Sequence, residues 1–372
     1  MKRWWYPTLL ILSMSTLFSA EYLTNKSCNE CHPDIYDEYQ SSYHAKTWFN
    51  DELHRKVAQK VPVYDCGRCH MPAAKNLKDM EAGKTWPREH HKEQKDAVSC
   101  FYCHQIAYVK QAHRFNEIQL AKQAEGYKPS LFGSLENPDS SDKHSMVKSP
   151  IYDRYACTGC HSHKRNKNDV LIFQAMEAGQ DSRECIKCHM SEVDGPPEKM
   201  NKRSRTKHKG HYFSGIHDET MRSKAVDISI DTKGDTIEVT LENKMGHPLI
   251  IQPARMKYLR LRVIRDGKVI WQNFSESPRE DKQGCFVTDF SDENGNPVAI
   301  PYFAKKRGFV NNLKAKEKKT LIYKVPSLHK NDRIVAEMFV VLAKPDCAAA
   351  AGISDESLTK PLLMKRVETT VK

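Results

Sequence analysis

Residues 28–32 read CNECH, and a Cys-x-x-Cys-His repeat of this form recurs four more times along the chain. The other repeats are CGRCH at 66–70, CFYCH at 100–104, CTGCH at 157–161 and CIKCH at 185–189. Two thiols three residues apart on a helical turn can reach the two vinyl groups on one edge of a haem. The histidine that follows then lies under the ring, where its imidazole binds the iron. The repeats therefore predict five covalently attached haems c.

Every cysteine and histidine of the repeats has a role in this prediction. The cysteines predicted to attach haem are Cys28, Cys31, Cys66, Cys69, Cys100, Cys103, Cys157, Cys160, Cys185 and Cys188. The histidines predicted to bind iron beside them are His32, His70, His104, His161 and His189. Zinc sites group cysteine pairs in fours and do not need a histidine after each pair. A disulfide framework would leave the histidines unexplained, so the haem interpretation is preferred.

Two cysteines lie outside the repeats, Cys285 and Cys347, and neither has the spacing of a haem site. An oxidising compartment would allow them to form a disulfide, and two free thiols are the alternative. The sequence favours neither.

The second axial position of each iron is the main functional question. Of the 17 histidines, twelve lie outside the repeats, which is enough to fill every second position. Local context favours five of them as second ligands: His44, His91, His144, His211 and His247. The reserves are His90, His113 and His217. Two imidazoles on an iron leave no place for a substrate and favour electron transfer, whereas an open position permits chemistry on a small molecule.

A family resemblance appears in the first repeat and its surroundings. Residues 28–44 (CNECHPDIYDEYQSSYH) resemble the first haem segment of the cytochrome c-five-five-four (c554) type, a family that includes electron acceptors of hydroxylamine oxidation. The segments 91–104 and 185–190 are similar to those of this family. HYFSG at 211–215 and NKMGHPL at 243–249 resemble segments of larger relatives that append a β domain.

The resemblance covers roughly residues 25–265. It implies a mostly helical haem domain with closely packed rings, mostly two-histidine ligation, and one haem that could be five-coordinate. The chain departs from larger relatives after His247, where it reads GHPLIIQP instead of GHxxPTG. It also lacks a Cys-x-x-Cys-Lys motif, which argues against the pentahaem nitrite reductase class.

The organisation along the chain follows from changes in sequence character. Residues 1–20 combine a short basic start, an apolar run and small residues, which predicts a cleaved export signal. An uncleaved anchor is the alternative, although the run is shorter than the ~20 residues that span a bilayer. Residues 21–222 hold all five repeats and predict a mainly α multihaem cytochrome domain with little regular structure. So little chain per haem means that the rings themselves form its core.

The character changes again near residue 223. Residues 223–345 contain short runs that alternate apolar and polar residues, which predicts an antiparallel β-sandwich of immunoglobulin-like type. Asp266-Gly267 separates two of these runs and predicts a hairpin. Residues 346–372 form a tail that reads as one more strand or a helix.

The basic composition does not indicate nucleic-acid binding. The net charge of +12 falls to +10 without Lys2 and Arg3, which belong to the predicted signal. Five haems, each with two propionates and an iron-porphyrin core of +1 or 0, then bring the total to about +5 or about 0. The basic residues are therefore expected to pair with propionates, and membrane association is expected only through the N-terminal segment.

The preferred function is a periplasmic electron carrier. Its expected partners are redox proteins, either a membrane quinol-linked cytochrome or a periplasmic reductase. The alternative is a haem oxidoreductase that acts on a small nitrogen or sulfur compound at a five-coordinate haem. A structural subunit of a larger cytochrome assembly is a third possibility.

Overall fold

The computed structural model of the chain describes residues 22–46, 48–123, 127–176 and 184–372. The predicted export signal, residues 1–20, lies outside these residues. Among the described helices, none has both the length and the apolar character needed to cross a bilayer.

Short helices build the part of the chain that carries the repeats. They are α1 Asn25–Asn29, α2 Pro33–Ser41, α3 Glu52–Ala58, α4 Gly67–His70, α5 Leu77–Glu81, α6 Lys92–Lys95, α7 Cys100–Cys103, α8 Ile151–Arg154, α9 Glu184–His189 and α10 Glu219–Ser223. Several begin at a polar side chain that accepts a hydrogen bond from a free amide of the first turn, as Thr24, Asp51 and Ser99 do.

Each repeat folds as the helical turn that its spacing predicts. In four repeats the histidine amide donates to the carbonyl oxygen of the first cysteine: His32 to Cys28 over 2.9 Å, His70 to Cys66 over 3.1 Å, His104 to Cys100 over 2.9 Å and His161 to Cys157 over 2.8 Å. The fifth repeat lies within α9. This turn places both thiols and the imidazole of a repeat on one side of the backbone.

Paired strands also run through this region. They are β1 Ile106–Lys110, β2 Glu117–Leu120, β3 Ser130–Gly133, β4 Ser145–Lys148, β5 His163–Arg165, β6 Leu171–Gln174, β7 Glu192–Asp194 and β8 Lys207–Lys209. Each pairs with its neighbour in sequence, and only the β3–β4 pair is parallel among these described pairs. The expectation of a mainly α domain is therefore only partly right, because strands this short show too few alternating positions to be recognised in a sequence.

The hydrophobic core of the repeat-bearing region is small. Its main cluster contains Tyr64, Met71 and Met80, all fully buried, with two alanines and the half-buried indoles of Trp48 and Trp86 around them. A core of this size agrees with the prediction that the haems themselves supply most of the buried apolar mass here.

The C-terminal region consists of two antiparallel sheets and two short helices. Its elements are β9 Val226–Lys233, β10 Thr236–Asn243, β11 Met256–Arg265, β12 Lys268–Gln272, β13 Cys285–Ser291, β14 Lys306–Asn311, β15 Lys318–Lys324, β16 Arg333–Val341, α11 Pro345–Ala351, α12 Glu356–Thr359 and β17 Leu362–Thr370. One sheet has the order β15-β10-β9. The other has the order β14-β13-β11-β16-β17, with β12 also paired to β11.

Alternation along the strands explains how the two sheets share a core. Along β10 every second residue is buried, and its inward residues Ile237, Val239 and Leu241 are fully buried. They belong to the same hydrophobic cluster as Leu259 of β11 and Met338 of β16, which lie in the other sheet. The antiparallel C-terminal sheets that the sequence predicts are thus present.

The predicted hairpin is confirmed. Asp266 and Gly267 join β11 to β12, and both have positive φ, 49° and 79°. Positive φ at both central residues gives a turn whose twist matches that of the two strands, and glycine adopts this conformation without strain.

The predicted tail, residues 346–372, belongs to the β region. Its strand β17 pairs with β16 along nearly their full length, with Arg333 opposite Thr370 at one end and Val340 opposite Leu362 at the other. The sequence left open whether this tail forms a strand or a helix, because it cannot show which earlier strand a terminal segment will join, and the domain boundary at residue 345 stays a prediction. Cys285 and Cys347 are both buried and both free.

The two regions are held together by small apolar clusters, such as those of Val61 with Ile300 and of Val170 with Phe290, and by polar contacts. The buried Asn166 side chain donates to the carbonyl oxygens of Pro301 and Ala304, over 3.0 and 2.8 Å. The Glu52 carboxylate at the start of α3 accepts from the Ser354 amide over 2.8 Å. In addition, the loop between β10 and β11 extends to the repeat-bearing region and carries His247 there.

Candidate cofactor sites

The thiols of different repeats meet in pairs. The Cys28 thiol interacts with that of Cys100, the Cys69 thiol with that of Cys160, and the Cys157 thiol with that of Cys185. Burial raises the pKa of the Cys103 thiol to about 11, and Cys103 also acts electrostatically on Cys157 and Cys160. The predicted attachment points therefore lie next to one another rather than apart.

Three repeat histidines are oriented by a backbone carbonyl. The Nδ1 atoms of His32, His104 and His189 each lie 2.6 Å from a carbonyl oxygen, those of Pro197, Phe132 and Ser214 respectively. An imidazole that donates Nδ1–H to a carbonyl presents the lone pair of Nε2 to a metal. These contacts therefore fix the tautomer that iron ligation requires.

Three repeat histidines face a second histidine at the distance that an iron needs. Two imidazole nitrogens bound to one iron at ~2 Å each place their ring centroids ~6 Å apart. The centroid distances are 6.2 Å for His32 and His144, 6.3 Å for His104 and His211, and 6.4 Å for His189 and His247. The two rings in each pair are tilted by 30° or less.

The fourth repeat has an opposed histidine too. The ring centroids of His44 and His161 are 5.8 Å apart, and their Nε2 atoms face each other at 3.5 Å. These nitrogens lie slightly closer than the ~4 Å that an intervening iron requires. Phe213 packs edge-on against the His44 ring, with centroids 4.3 Å apart. This site thus also has an opposed pair of imidazoles, but with ring planes 64° apart.

The second repeat differs from the others. The ring of His54, on α3, stacks on that of His70 with centroids 3.8 Å apart and planes 23° apart. Rings in face-to-face contact leave no room for an iron between them, so these two histidines do not fit as an axial pair. His54 Nε2 instead lies 3.2 Å from the Tyr64 hydroxyl.

His91 is not placed against a repeat histidine. Its ring packs on that of His90, with centroids 4.4 Å apart, at the N-terminal end of α6. The sequence context that favoured His91 was its position ahead of the third repeat. The histidine that the fold brings to His104 is His211, which lies more than a hundred residues further along the chain.

Burial keeps several of the histidines at these sites neutral, both opposed histidines and His70. It lowers the pKa of His44 and of His211 to about 3, and that of His70 and of His247 to about 4. Neighbouring histidines lower these values further. A neutral imidazole is the form that binds a metal, so no proton needs to be displaced from these rings near neutral pH.

A buried carboxylate supports the site at the third repeat. Glu38 accepts the backbone amide of His211 over 2.8 Å, and its other oxygen lies 3.2 Å from Nε2 of His208. Glu38 and His208 are both buried. Their contacts fix the backbone at His211 and so orient the ring that faces His104.

The remaining histidines have other partners. His113 pairs with Asp169 at 2.7 Å on the surface. The ring of His217 stacks on that of Tyr43, with centroids 3.4 Å apart. His54 was one of the twelve spare histidines but was not singled out from the sequence. A signal was present in the sequence, since Asp51 is a favourable helix N-cap residue and the helix α3 that it begins places His54 in its first turn.

Comparisons with known proteins bear on the family and the fold. The family described as cytochrome c554 and c-prime matches residues 27–105. A penta-haem cytochrome c552 from Thermochromatium tepidum is similar over 94% of this chain and 99% of its own, with a TM-score of 0.75 and 22% identity. At that identity the likeness shows the fold. No curated protein matches the chain.

Two superoxide reductases, one of them from Nanoarchaeum equitans, align with 40% of the chain and with 88% and 94% of their own lengths. Their identities are 10% and 11%, and their TM-scores of 0.18 and 0.17 carry no argument.

Proposed function

We propose that this chain, a multihaem c-type cytochrome by its repeats and its fold, carries electrons between redox proteins in the periplasm. When bound, the five haems c supply one-electron carriers. The observation that carries the proposal is the set of four repeat histidines that each face a second imidazole near the spacing of an axial pair. With both axial positions filled, these four sites have no place for a substrate. Electron transfer is the function that remains for them.

The contacts between thiols support a continuous path. Because thiols attach to a ring edge, the meeting of Cys28 with Cys100 brings the first and third sites together. The meeting of Cys157 with Cys185 does the same for the fourth and fifth, and Cys103 of the third site acts electrostatically on Cys157 of the fourth. The meeting of Cys69 with Cys160 joins the second site to the fourth. The proposed order is first, third, fourth, fifth, with the second site joined to the fourth.

The second repeat supports one alternative function. His54 stacks on His70 instead of facing it across an iron-sized gap, so this site has no opposed histidine among the described residues. An iron bound there would keep one position open, and a small nitrogen or sulfur compound could react at it. The surroundings favour the relay, because Tyr64, Met71 and Met80 are fully buried and restrict access.

The ferric spectrum of the purified holoprotein tests both functions. We expect four low-spin haems with two-histidine ligation and one high-spin haem by electron paramagnetic resonance. For the relay, neither nitrite nor cyanide shifts the high-spin signal, and nitrite does not reoxidise the dithionite-reduced protein. A shift together with reoxidation would replace the relay with the alternative, and five low-spin haems would remove the alternative.

The remaining parts of the proposal concern location and architecture. Export through the N-terminal segment fits covalent haem attachment, which takes place outside the cytoplasm. The proposed partners are a membrane quinol-linked cytochrome or a periplasmic reductase. We propose no nucleic-acid partner. We further propose that the two C-terminal sheets form an immunoglobulin-like sandwich that covers the haem region and supplies His247 to the fifth site.

A further inference from the structure

We propose that Arg255 binds a haem propionate beside His161, so that the C-terminal β region sets the charge balance at the fourth site. This inference rests on the proposed five-haem function. It assigns to the β region a second contribution to the cofactors besides His247.

The position of Arg255 makes the contact possible. Arg255 ends the loop between β10 and β11 and lies directly before Met256, the first residue of β11. Its amide donates to the carbonyl oxygen of Gln252 over 3.1 Å, which holds the backbone in a turn. Burial lowers the pKa of His161 and of His217, and the Arg255 guanidinium acts electrostatically on both and lowers these values further. Arg255 therefore lies in the repeat-bearing region although it belongs to the β region by sequence.

The guanidinium of Arg255 lacks an adequate partner. Its Nε atom is buried and has no hydrogen-bond partner among the described residues. Burial also lowers the pKa of Arg255 to about 10, which shows how strongly the site disfavours an isolated positive charge. Buried charges in proteins are normally paired and hydrogen bonded. A half-buried arginine whose Nε atom is buried without a hydrogen-bond partner thus points to a missing anion.

The neighbouring side chains do not supply that anion. Asp51 is the carboxylate that acts on Arg255, but one of its oxygens caps α3 by accepting the His54 amide over 3.1 Å. Burial also raises the pKa of Asp51. The other neighbours are the Tyr43 ring, which carries the Lys46 ammonium 3.9 Å from its centroid, and the neutral His217. Arg255 and Lys46 therefore share the Asp51 carboxylate, which already accepts a hydrogen bond from a backbone amide.

A propionate fits what is missing. Its carboxylate matches the fork of a guanidinium, which can form two parallel N–H···O bonds. The fourth haem is the nearest predicted source of such a group, because Arg255 acts on His161. A free propionate carries a negative charge that stabilises the ferric state of its haem. When Arg255 neutralises this charge, the ferric state is stabilised less and the haem is easier to reduce.

Substitution of Arg255 tests the proposal by spectroelectrochemical titration of the five-haem protein. In Arg255→Gln we expect one of the five haems to become about tenfold harder to reduce, a fall of ~59 mV for a one-electron couple. Arg255→Lys keeps the charge and is expected to restore most of the potential. The propionate-bending band of the resonance Raman spectrum should shift in Arg255→Gln as well.

The control is Arg262→Gln, which removes an equal charge from β11 at a guanidinium that is paired with Glu337 at 2.9 Å. All five potentials should stay unchanged in this variant. Unchanged potentials and an unchanged Raman band in Arg255→Gln overturn the proposal. The proposal is also overturned if nitrite or phosphate shifts a reduction potential of the wild-type protein but shifts none in Arg255→Gln. The Arg255 site would then bind a diffusible anion instead of a propionate.

The haem content separates this proposal from the proposed function. A wild-type protein with fewer than five haems by the pyridine haemochrome assay would contradict the five-haem function itself. Five haems with no effect of Arg255→Gln would contradict only the role of Arg255.

Discussion

Single imidazoles decide the chemistry of this protein, because each repeat supplies only one axial ligand. The histidine opposite each of four repeat histidines comes from a distant part of the chain, such as His144 opposite His32 and His247 opposite His189. Whether an iron has an open position therefore depends on where one further side chain lies. The second repeat shows this, because His54 is close to His70 and still does not face it.

The role of His247 can be tested with a matched variant. In His247→Met we expect the haem of the fifth repeat to change from two-histidine to histidine–methionine ligation. The reduction potential of this haem should rise, and the ferric spectrum should gain the absorption band that is characteristic of methionine bound to iron. His91→Met serves as the control, because His91 packs on His90 instead of a repeat histidine. Unchanged spectra and potentials in His247→Met would rule out His247 as a ligand.

A second prediction at this scale concerns stability in acid. Hydrogen bonds from Arg265 lower the pKa of Asp332 from 3.8 to about 2. A carboxylate whose folded pKa is depressed stabilises the protein above its unfolded pKa, and this contribution is lost as the pH falls from about 4 to about 2.

Asp332→Asn should therefore lower the unfolding temperature at pH 6 and flatten its dependence on pH between about 4 and 2. The measurement is thermal unfolding followed by circular dichroism. Asp231→Asn, on an exposed part of β9, is the control and should behave as wild type. Equal pH profiles for wild type and Asp332→Asn would contradict the prediction.

At the scale of elements, short loops join the repeat-bearing region to the β region. The loop around Asn166 is the clearest example of such a connection. The buried side-chain amide of Asn166 donates to the carbonyl oxygens of Pro301 and Ala304, and it accepts a hydrogen bond from the Val170 amide over 3.0 Å. Removing this side chain would leave several backbone groups without partners in a place that water reaches poorly.

We expect Asn166→Ala to reduce the free energy of unfolding by about 1–3 kcal/mol, the usual effect of leaving buried polar groups unsatisfied. Urea unfolding of the holoprotein measures it. Asn168→Ala removes a single bond to the same loop, from Asn168 to Ala304, and should cost less. An equal loss in both variants would show that Asn166 has no special role.

At the scale of the whole molecule, the two regions differ in the origin of their stability. The β region has a large core to which both sheets contribute. As far as the structure describes it, the repeat-bearing region has short elements, a small cluster around Tyr64 and a few apolar residues packed against the β region. Its folding therefore depends on the cofactors that the thiols and imidazoles hold.

This difference predicts the behaviour of the protein made without haem attachment. We expect trypsin to digest residues 22–224 rapidly, whereas a fragment that begins near Ala225 and retains the β-sheet circular dichroism persists. Mass spectrometry of the digest identifies the fragment. The holoprotein is the control, in which both regions should resist. Equal resistance of the two regions without haem would contradict a haem-dependent core.

The amino-acid sequence by itself determined the cofactor and the two kinds of region. Five repeats identify haem c because the chemistry needs two thiols and one histidine at a fixed local spacing. Alternation predicted the strands from β9 to β12 and also β15 and β16, because a half-buried strand repeats every two residues. The strands β13 and β14 were missed, because their residues do not alternate between apolar and polar side chains in the same way.

Only the tertiary structure decided which histidine faces which iron position. His44, His144, His211 and His247 were chosen from local context and do lie opposite repeat histidines, whereas His91 was chosen in the same way and does not. Their roles as ligands stay predictions. The physical reason is that axial pairing joins residues far apart in sequence, and so it depends on the packing of short elements around the rings rather than on any local spacing.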